Sequence, residues 1–294
     1  MSRMLEPHGG GLDAALHVLR ERFGHEGFRP RQAEIVRAML AGRDLLAVLP
    51  TGAGKSVCFQ LPALLADRPT VVVSPLIALM QDQVAGLSRR GIDAAALTSA
   101  TPRAERERLR ERLAGQPPRL LYASPERLAV AGFVDACRRL RPARVVVDEA
   151  HCISEWGHDF RPDYRRILSF LEAVGRPPVA AFTATATPAT RADVERCLEL
   201  RSPRRFVAPV DRPNLRWAVR RDRRAGGAIL RAETAAREAL RRDPRAAAIV
   251  YVLSRAGAIR AAAALRRLGI PAGAYHGGME PEARAERQEA FLGG

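Results

Sequence analysis

The sequence predicts an α/β fold organised on a doubly wound parallel sheet, with one complete lobe and part of a second. Three observations carry this. Short apolar, β-branched runs alternate with helical patterns along the first two thirds of the chain. A glycine-rich turn joins the first of those runs to the helix that follows it. The alternation then restarts after a Pro- and Arg-rich passage at residues 202–214. Strands that alternate with helices are joined by crossovers, which makes the sheet parallel and puts its ligands at the carboxyl ends of the strands.

Residues 45–49, 70–73, 94–97, 120–123, 144–147 and 179–182 read as buried strands, each a short apolar run flanked by polar or turn-forming residues. Between them, residues 55–65, 77–90, 102–113, 163–174 and 188–198 read as helices. A first lobe is therefore expected over residues 1–205, a linker over 206–215 and a partial second lobe over 216–294. Two units also suit a 294-residue chain, because a single core stops growing at roughly 250–300 residues. In the second lobe, strands are expected at 216–219, 246–252 and 272–275, and helices at 229–242, 256–268 and 281–291. The pattern stops at Gly293-Gly294 before a sheet comparable to the first is complete, so a truncated chain is expected. The mixed charge run at 103–112 reads as a solvated helix face with Glu and Arg at i,i+3 spacing.

With 47% hydrophobic and 27% charged residues the composition is that of an ordinary globular protein, which excludes collagen-like, fibrous and disordered chains. No apolar run reaches the ~18 residues needed to span a bilayer. The N-terminus carries Glu6, Pro7 and three glycines where a signal peptide needs an apolar stretch, so a cytoplasmic setting is expected, with nucleoid association if the chain is bacterial. Cys58, Cys137, Cys152 and Cys197 match neither a paired metal-binding spacing nor a disulfide framework, so reduced thiols and no zinc are expected.

Basic residues outnumber acidic ones 48 to 32, a surplus of +16 that favours a polyanion such as nucleic acid or a membrane surface. The chain is also rich in Ala and Arg throughout, and a biased genome would produce the same surplus. A sharper fact is that Lys55 is the only lysine. Arginine serves at every other basic position, and at 55 it does not.

Lys55 lies in Pro50-Thr51-Gly52-Ala53-Gly54-Lys55-Ser56, directly after the first strand and at the start of a helix. This arrangement wraps backbone N–H groups around phosphates, aims a helix N-terminus at them, sets a lysine on the β/γ phosphates and a hydroxyl on Mg²⁺. Thr51, Gly52, Ala53, Gly54, Lys55 and Ser56 are thus candidate nucleotide-binding residues of a P-loop NTPase. The general pattern has Gly where this chain has Leu49. Further on, the strand at 144–147 ends in Asp148-Glu149-Ala150-His151. A carboxylate in that position holds Mg²⁺ together with Ser56, and a second one beside it polarises the attacking water. Lys55, Asp148 and Glu149 are the candidate catalytic residues.

Taken in order, these motifs resemble the RecQ family of superfamily 2 DNA helicases, whose lobes are RecA-like. The stretch 50–62 matches the family almost residue for residue, Pro-Thr-Gly in place of the missing glycine included. Leu19-Arg20-Glu21-Arg22-Phe23-Gly24 with Phe28-Arg29-Pro30-Arg31-Gln32 resembles its adenine-reading motif. The resemblance implies that Gln32 reads the adenine edge, that Arg29 supports it, and that the planar ring of His25, where the family usually has tyrosine, stacks on the base. Residues 74–84 resemble the family motif whose backbone and hydroxyl groups track a DNA strand, and 122–128 resemble the motif after it, although each also reads as a loop entering a helix.

After the acidic residues comes Cys152-Ile153-Ser154-Glu155-Trp156-Gly157-His158-Asp159-Phe160-Arg161. Two aromatics and an arginine in a polar loop suit base stacking and phosphate contact, while Trp156 and Phe160 at i,i+4 also suit a core. By resemblance this is the loop that couples DNA engagement to ATP hydrolysis, and Trp156, His158, Phe160 and Arg161 are its candidate DNA-binding residues. Phe182-Thr183-Ala184-Thr185-Ala186-Thr187-Pro188 resembles the motif relaying nucleotide state to unwinding, through Thr183 and Thr185; it also reads as a strand end with hydroxyl caps. Residues 211–215, 249–255 and 274–279 resemble the linker and first motifs of the second lobe.

The resemblance implies an ATP-dependent DNA helicase, moving 3′ to 5′ on single-stranded DNA in recombination and repair, with ATP and Mg²⁺ as cofactors. Its partners would be single-stranded and partly duplex DNA, with no membrane. Two alternatives stay open: a non-catalytic nucleotide- and DNA-binding fragment lacking the arginine finger, and an RNA-remodelling ATPase of the same superfamily.

Overall fold

The computed structural model describes residues 10–99, 101–155, 159–209, 215–219, 227–243 and 246–293. The chain divides into two compact units, Met1–Arg212 and Pro213–Gly294.

In the first unit the order of elements is α1 (Gly10–Phe23), α2 (Gln32–Leu40), β1 (Leu45–Val48), α3 (Lys55–Leu65), β2 (Thr70–Val73), α4 (Ile77–Ser88), β3 (Ala94–Leu97), α5 (Arg103–Ala114) and β4 (Leu120–Ala123). It continues with α6 (Ala131–Leu140), β5 (Arg144–Val147), α7 (Arg166–Ala173), β6 (Val179–Thr183), α8 (Pro188–Cys197) and β7 (Arg204–Val207). Short 3-10 turns occupy Pro125–Ala129, Ala150–Ile153 and Pro162–Arg165. The seven strands form one sheet in the order β3-β4-β2-β5-β6-β1-β7, and every pairing is parallel.

Strands β1, β2, β4, β5 and β6 are buried along their whole length, as expected for a sheet with helices on both faces. Two apolar layers result. One packs Val71, Val73, Leu121, Val145 and Val147 against Phe133, Ile167 and Phe170; the other packs Leu45, Ala47, Val72 and Phe182 against Ile35, Met39 and Phe59. A smaller cluster of Ala15, Leu19, Val36 and Leu61 binds α1 and α2 onto α3. The buried Asp44 ties three strands together at their amino ends, accepting from the Val179 N–H at 2.7 Å and the Arg201 N–H at 2.8 Å beside Arg176 at 3.4 Å.

Several boundaries differ from the sequence reading. The expected helix at 163–174 starts as the 3-10 turn Pro162–Arg165 and becomes α-helical only at Arg166. Strand β7 was not foreseen and runs past residue 205, in register with β1 through Leu45↔Arg204. Only Phe206 of its four residues is buried, so no apolar run marks it.

The second unit contains α9 (Gly227–Arg242), α10 (Arg255–Arg267) and α11 (Pro281–Gly293). Ser254 caps α10, its hydroxyl accepting from the Gly257 N–H at 3.0 Å, and Ala236, Leu265 and Ile270 form a small core. The strands expected at 216–219, 246–252 and 272–275 do not form among the described residues. An apolar run becomes a strand only when a neighbour satisfies its backbone, and these runs pair with nothing described; Trp217 is 92% and Tyr251 89% exposed.

Candidate active site

The carboxyl ends of β1, β6 and β5 lie side by side, with β6 in the middle. At the end of β1 the chain turns through Pro50, whose carbonyl accepts from the Ala53 N–H at 3.1 Å. Gly52 and Gly54 have φ of 84° and 79°, values that favour glycine. Gly54 also lets α2 approach: a Cβ there would sit 2.4 Å from Gln32 Nε2. Helix α3 then begins with no side-chain cap, leaving its first N–H groups for an anion, and the helix dipole favours one there. Thr51 and Gly52 are exposed while Ala53, Gly54, Lys55 and Ser56 are half-buried.

The loop is held from behind by the candidate adenine-reading residues. Gln32 is buried; its Oε1 accepts from the Arg29 N–H at 2.9 Å, and its Nε2 donates to the carbonyls of Ala53 and Gly54, both at 3.2 Å. Arg29 Nη1 donates to the Gly52 carbonyl at 2.6 Å. Both ends of the Gln32 amide are thus engaged by protein, a loop-holding role the sequence reading had not given it; its Oε1 keeps one lone pair for a further donor, while Nε2 is already directed at the loop carbonyls. His25 is exposed.

At the end of β5 the Asp148 N–H donates to the Val73 carbonyl at 2.8 Å, which seats Asp148 against β2. Its carbonyl accepts from the buried Tyr164 hydroxyl at 2.9 Å, and its Oδ1 accepts from the Glu149 N–H at 3.0 Å. Burial, and then the neighbouring Glu149 charge, push the Asp148 carboxyl up to about 6, against the opposing pull of Lys55. Glu149 sits at φ 47°. It moves the other way, held below the usual carboxylate range first by its hydrogen bond with His151 and also by Lys55, against its partial burial. The two adjacent carboxyls thus sit in different environments, Asp148 desolvated and Glu149 hydrogen-bonded to His151. Lys55, whose Nζ donates to the Leu49 carbonyl at 3.4 Å, acts on both, although β1, the strand that leads into its loop, is two positions from β5, about 10 Å by ordinary strand spacing. A desolvated carboxylate facing a second negative charge fits a divalent cation, and uncapped N–H groups beside a lysine fit a phosphate chain; the residues present suit a metal–nucleotide.

His151 connects this pair to β6. Its Nδ1 lies 2.8 Å from Thr183 Oγ1 and 3.3 Å from Glu149 Oε2. Thr183 is fully buried and its hydroxyl donates to the Thr185 carbonyl at 3.1 Å, so Thr183 acts through the protein interior and only the exposed Thr185 faces solvent. Thr187 caps α8. Beyond the turn, Arg161 Nη1 donates to the Pro75 carbonyl at 3.0 Å and Nη2 pairs with Asp159 at 3.3 Å. That link between two separate motifs carries no sequence signal. Phe160 is half-buried, with the Arg165 guanidinium 5.3 Å from its ring centre. Trp156 and His158 lie outside the described residues.

The model of the DEAD/DEAH box helicase family matches residues 29–194, more than half of the chain. The chain belongs to the DEAD/DEAH box helicases. It is 39% identical over 277 residues to the ATP-dependent DNA helicase RecQ of Pasteurella multocida, covering 94% of this chain and 43% of that one. Against the ATP-dependent DNA helicase RecQ of Synechocystis it is 40% identical over 287 residues, covering 94% and 58%. The chain therefore spans about half the length of the curated relatives it matches. Among solved structures, helicase MrfA bound to DNA and AMPPNP shares the fold with a TM-score of 0.72 at 21% identity, covering 98% of this chain and 43% of that one.

Proposed function

We propose that this DEAD/DEAH box domain is the ATP-driven motor of a RecQ-type DNA helicase that moves 3′ to 5′ on single-stranded DNA and unwinds duplexes in recombination and repair. The observation that carries the reading is the chain of contacts from the acidic pair through His151 to Thr183 on β6. It gives the hydrolytic carboxylate a route to the rest of the lobe, which nucleotide storage alone does not need. Lys55 and the N–H groups of 52–56 would hold the phosphates; Ser56 and Asp148 would hold Mg²⁺, which when bound supplies charge neutralisation on the phosphate oxygens. Glu149 would orient water. Phe160, Arg161, Trp156 and His158 would meet DNA, and the surplus of +16 supplies phosphate contacts. RecQ-type identity rests on the relatives' similarity.

A second reading, nucleotide and DNA binding without turnover, is favoured by the second unit, whose expected strands are unpaired among the described residues. The two separate in one experiment. With Glu149→Gln as the control that binds Mg·ATP without cleaving it, single-turnover ADP formation by the wild-type chain, accelerated by single-stranded DNA, supports the motor. Tight nucleotide and DNA binding with turnover no faster than Glu149→Gln supports the second reading.

A further inference from the structure

The turn after the acidic pair brings together three side chains whose spacing in sequence gave no sign of a metal site. His151 Nε2 lies 3.8 Å from Cys152 Sγ, and Cys152 Sγ lies 3.7 Å from Asp159 Oδ2. The three ligand atoms are all within 4.8 Å of one another. Tetrahedral bonds of about 2.0–2.3 Å to imidazole, thiolate and carboxylate place neighbouring ligand atoms roughly 3.3–3.6 Å apart. Two of the three separations are thus within a few tenths of an ångström of that spacing, and the third, from His151 to Asp159, closes from at most 4.8 Å when an ion binds.

The second observation concerns the imidazole. A carboxylate only accepts, so the Nδ1 that faces Glu149 at 3.3 Å and Thr183 Oγ1 at 2.8 Å carries the proton. In the neutral ring the lone pair is then on Nε2, the nitrogen turned toward Cys152. Metal-bound histidines make the same arrangement, with the far N–H donated to a carboxylate or hydroxyl that fixes the tautomer and orients the ring.

We propose that His151, Cys152 and Asp159 form a binding site for Zn²⁺ or a similarly thiophilic divalent cation, with the fourth position left to water. This replaces the expectation that the chain holds no zinc. Two of the ligands lie in the 3-10 turn Ala150–Ile153, and the third lies beyond residues 156–158, beside Phe160 and Arg161. A bound ion therefore fastens the aromatic loop to the turn that follows the acidic pair. Binding costs Asp159 its pairing with Arg161 at 3.3 Å and takes the thiol proton into solvent. Mg²⁺ does not compete, because thiolate selects softer cations.

The site stands or falls independently of helicase activity, because metal binding is read directly. Cobalt(II) titrated into the chain in the presence of excess Mg²⁺ should give, at one equivalent, intense tetrahedral visible bands and a sulfur-to-cobalt charge-transfer band, both removed by added Zn²⁺. Cys152→Ser should lose the charge-transfer band. Asp159→Ala, a change at an exposed position that leaves the fold intact, should weaken Co²⁺ by about 10- to 100-fold. Cys197→Ser, which alters the other cysteine beside a carboxylate, should behave as wild type. Amide exchange over residues 159–161 should slow on adding Zn²⁺ in wild type and stay unchanged in Asp159→Ala. No charge-transfer band in wild type, a band that survives in Cys152→Ser, or equal affinity in Asp159→Ala would overturn the proposal.

Discussion

His151 Nδ1 lies 2.8 Å from Thr183 Oγ1, a buried contact that joins the turn after β5 to the end of β6. Because β6 separates the strand of the phosphate loop from the strand of the acidic pair, this bond ties the acidic pair's turn to the strand that neighbours the phosphate loop's own. The Thr183 hydroxyl passes the link on to the exposed Thr185 segment, so three successive contacts connect Glu149 to the surface.

Thr183→Val tests that bond by removing the hydroxyl while keeping the branched shape. His151 keeps Glu149 as a partner, so the loss is partial: the chain should fold and lose about 1–3 kcal/mol in urea denaturation. Nucleotide affinity should change little, since no phosphate contact is touched. Amide exchange at Thr185 should become insensitive to nucleotide. Unchanged stability would show that the bond contributes nothing.

Asp148→Asn should stabilise the ligand-free protein and destroy its metal affinity together. The Asp148 carboxyl is pushed up to about 6 by burial and by Glu149, so the folded state holds a proton there that the unfolded chain, near 3.8, has given up. Its contribution to stability is accordingly present below about 4 and lost as pH rises to about 6. Asparagine keeps the oxygen that accepts from the Glu149 N–H and discards the charge, so thermal stability at neutral pH should rise by roughly 1–3 kcal/mol, with the gain vanishing at acid pH. Mg²⁺-dependent nucleotide binding should be lost in the variant, and in wild type should weaken as pH falls through about 6. A variant no more stable than wild type at pH 7 would mean that Asp148 is not strained by burial.

How much of this was legible in the sequence follows from where each signal resides. The strands flanking the site are buried on both faces, so β1, β2, β4, β5 and β6 appear as continuous apolar runs. Strand β7 buries Phe206 alone, and no run betrays it. The runs at 216–219 and 246–252 show the reverse failure, since apolarity is local but pairing is not. In the site, Asp148 and Glu149 announce themselves by position at a strand end, and Lys55 by standing in a glycine-rich turn at the start of a helix. The grip of Gln32 on the loop spans 21 and 22 residues and the bond of Arg161 to Pro75 spans 86; only folding brings such partners together.

Gln32→Ala distinguishes holding the loop from reading the base. It removes the two donations to the Ala53 and Gly54 carbonyls and so loosens the phosphate cradle whatever base is bound. If the loop is the main client of this amide, ATP and GTP affinities should fall by the same factor, and Gly54→Ala should do likewise. That second variant displaces Gln32 with a Cβ 2.4 Å from its Nε2 and adds about 1–2 kcal/mol of left-handed strain at φ 79°. Loss confined to ATP in Gln32→Ala, measured by parallel titrations, would assign the amide to adenine instead.

Lys55 combines two functions that substitution can separate. Its charge lowers both Asp148 and Glu149, an effect any cation in that place supplies. Under the proposed function its compact ammonium also enters the phosphate cradle from a half-buried position, where the planar fork of arginine would not fit. Lys55→Met should raise the Asp148 midpoint above about 6, because an opposing positive charge is gone, and should lose nucleotide affinity as well. Lys55→Arg should leave that midpoint near the wild-type value in a carboxylate NMR titration while still losing nucleotide affinity and turnover. If Lys55→Arg bound and hydrolysed ATP as wild type does, charge alone would account for the residue. The presence of one lysine among 47 arginines would then have no chemical reason at this position.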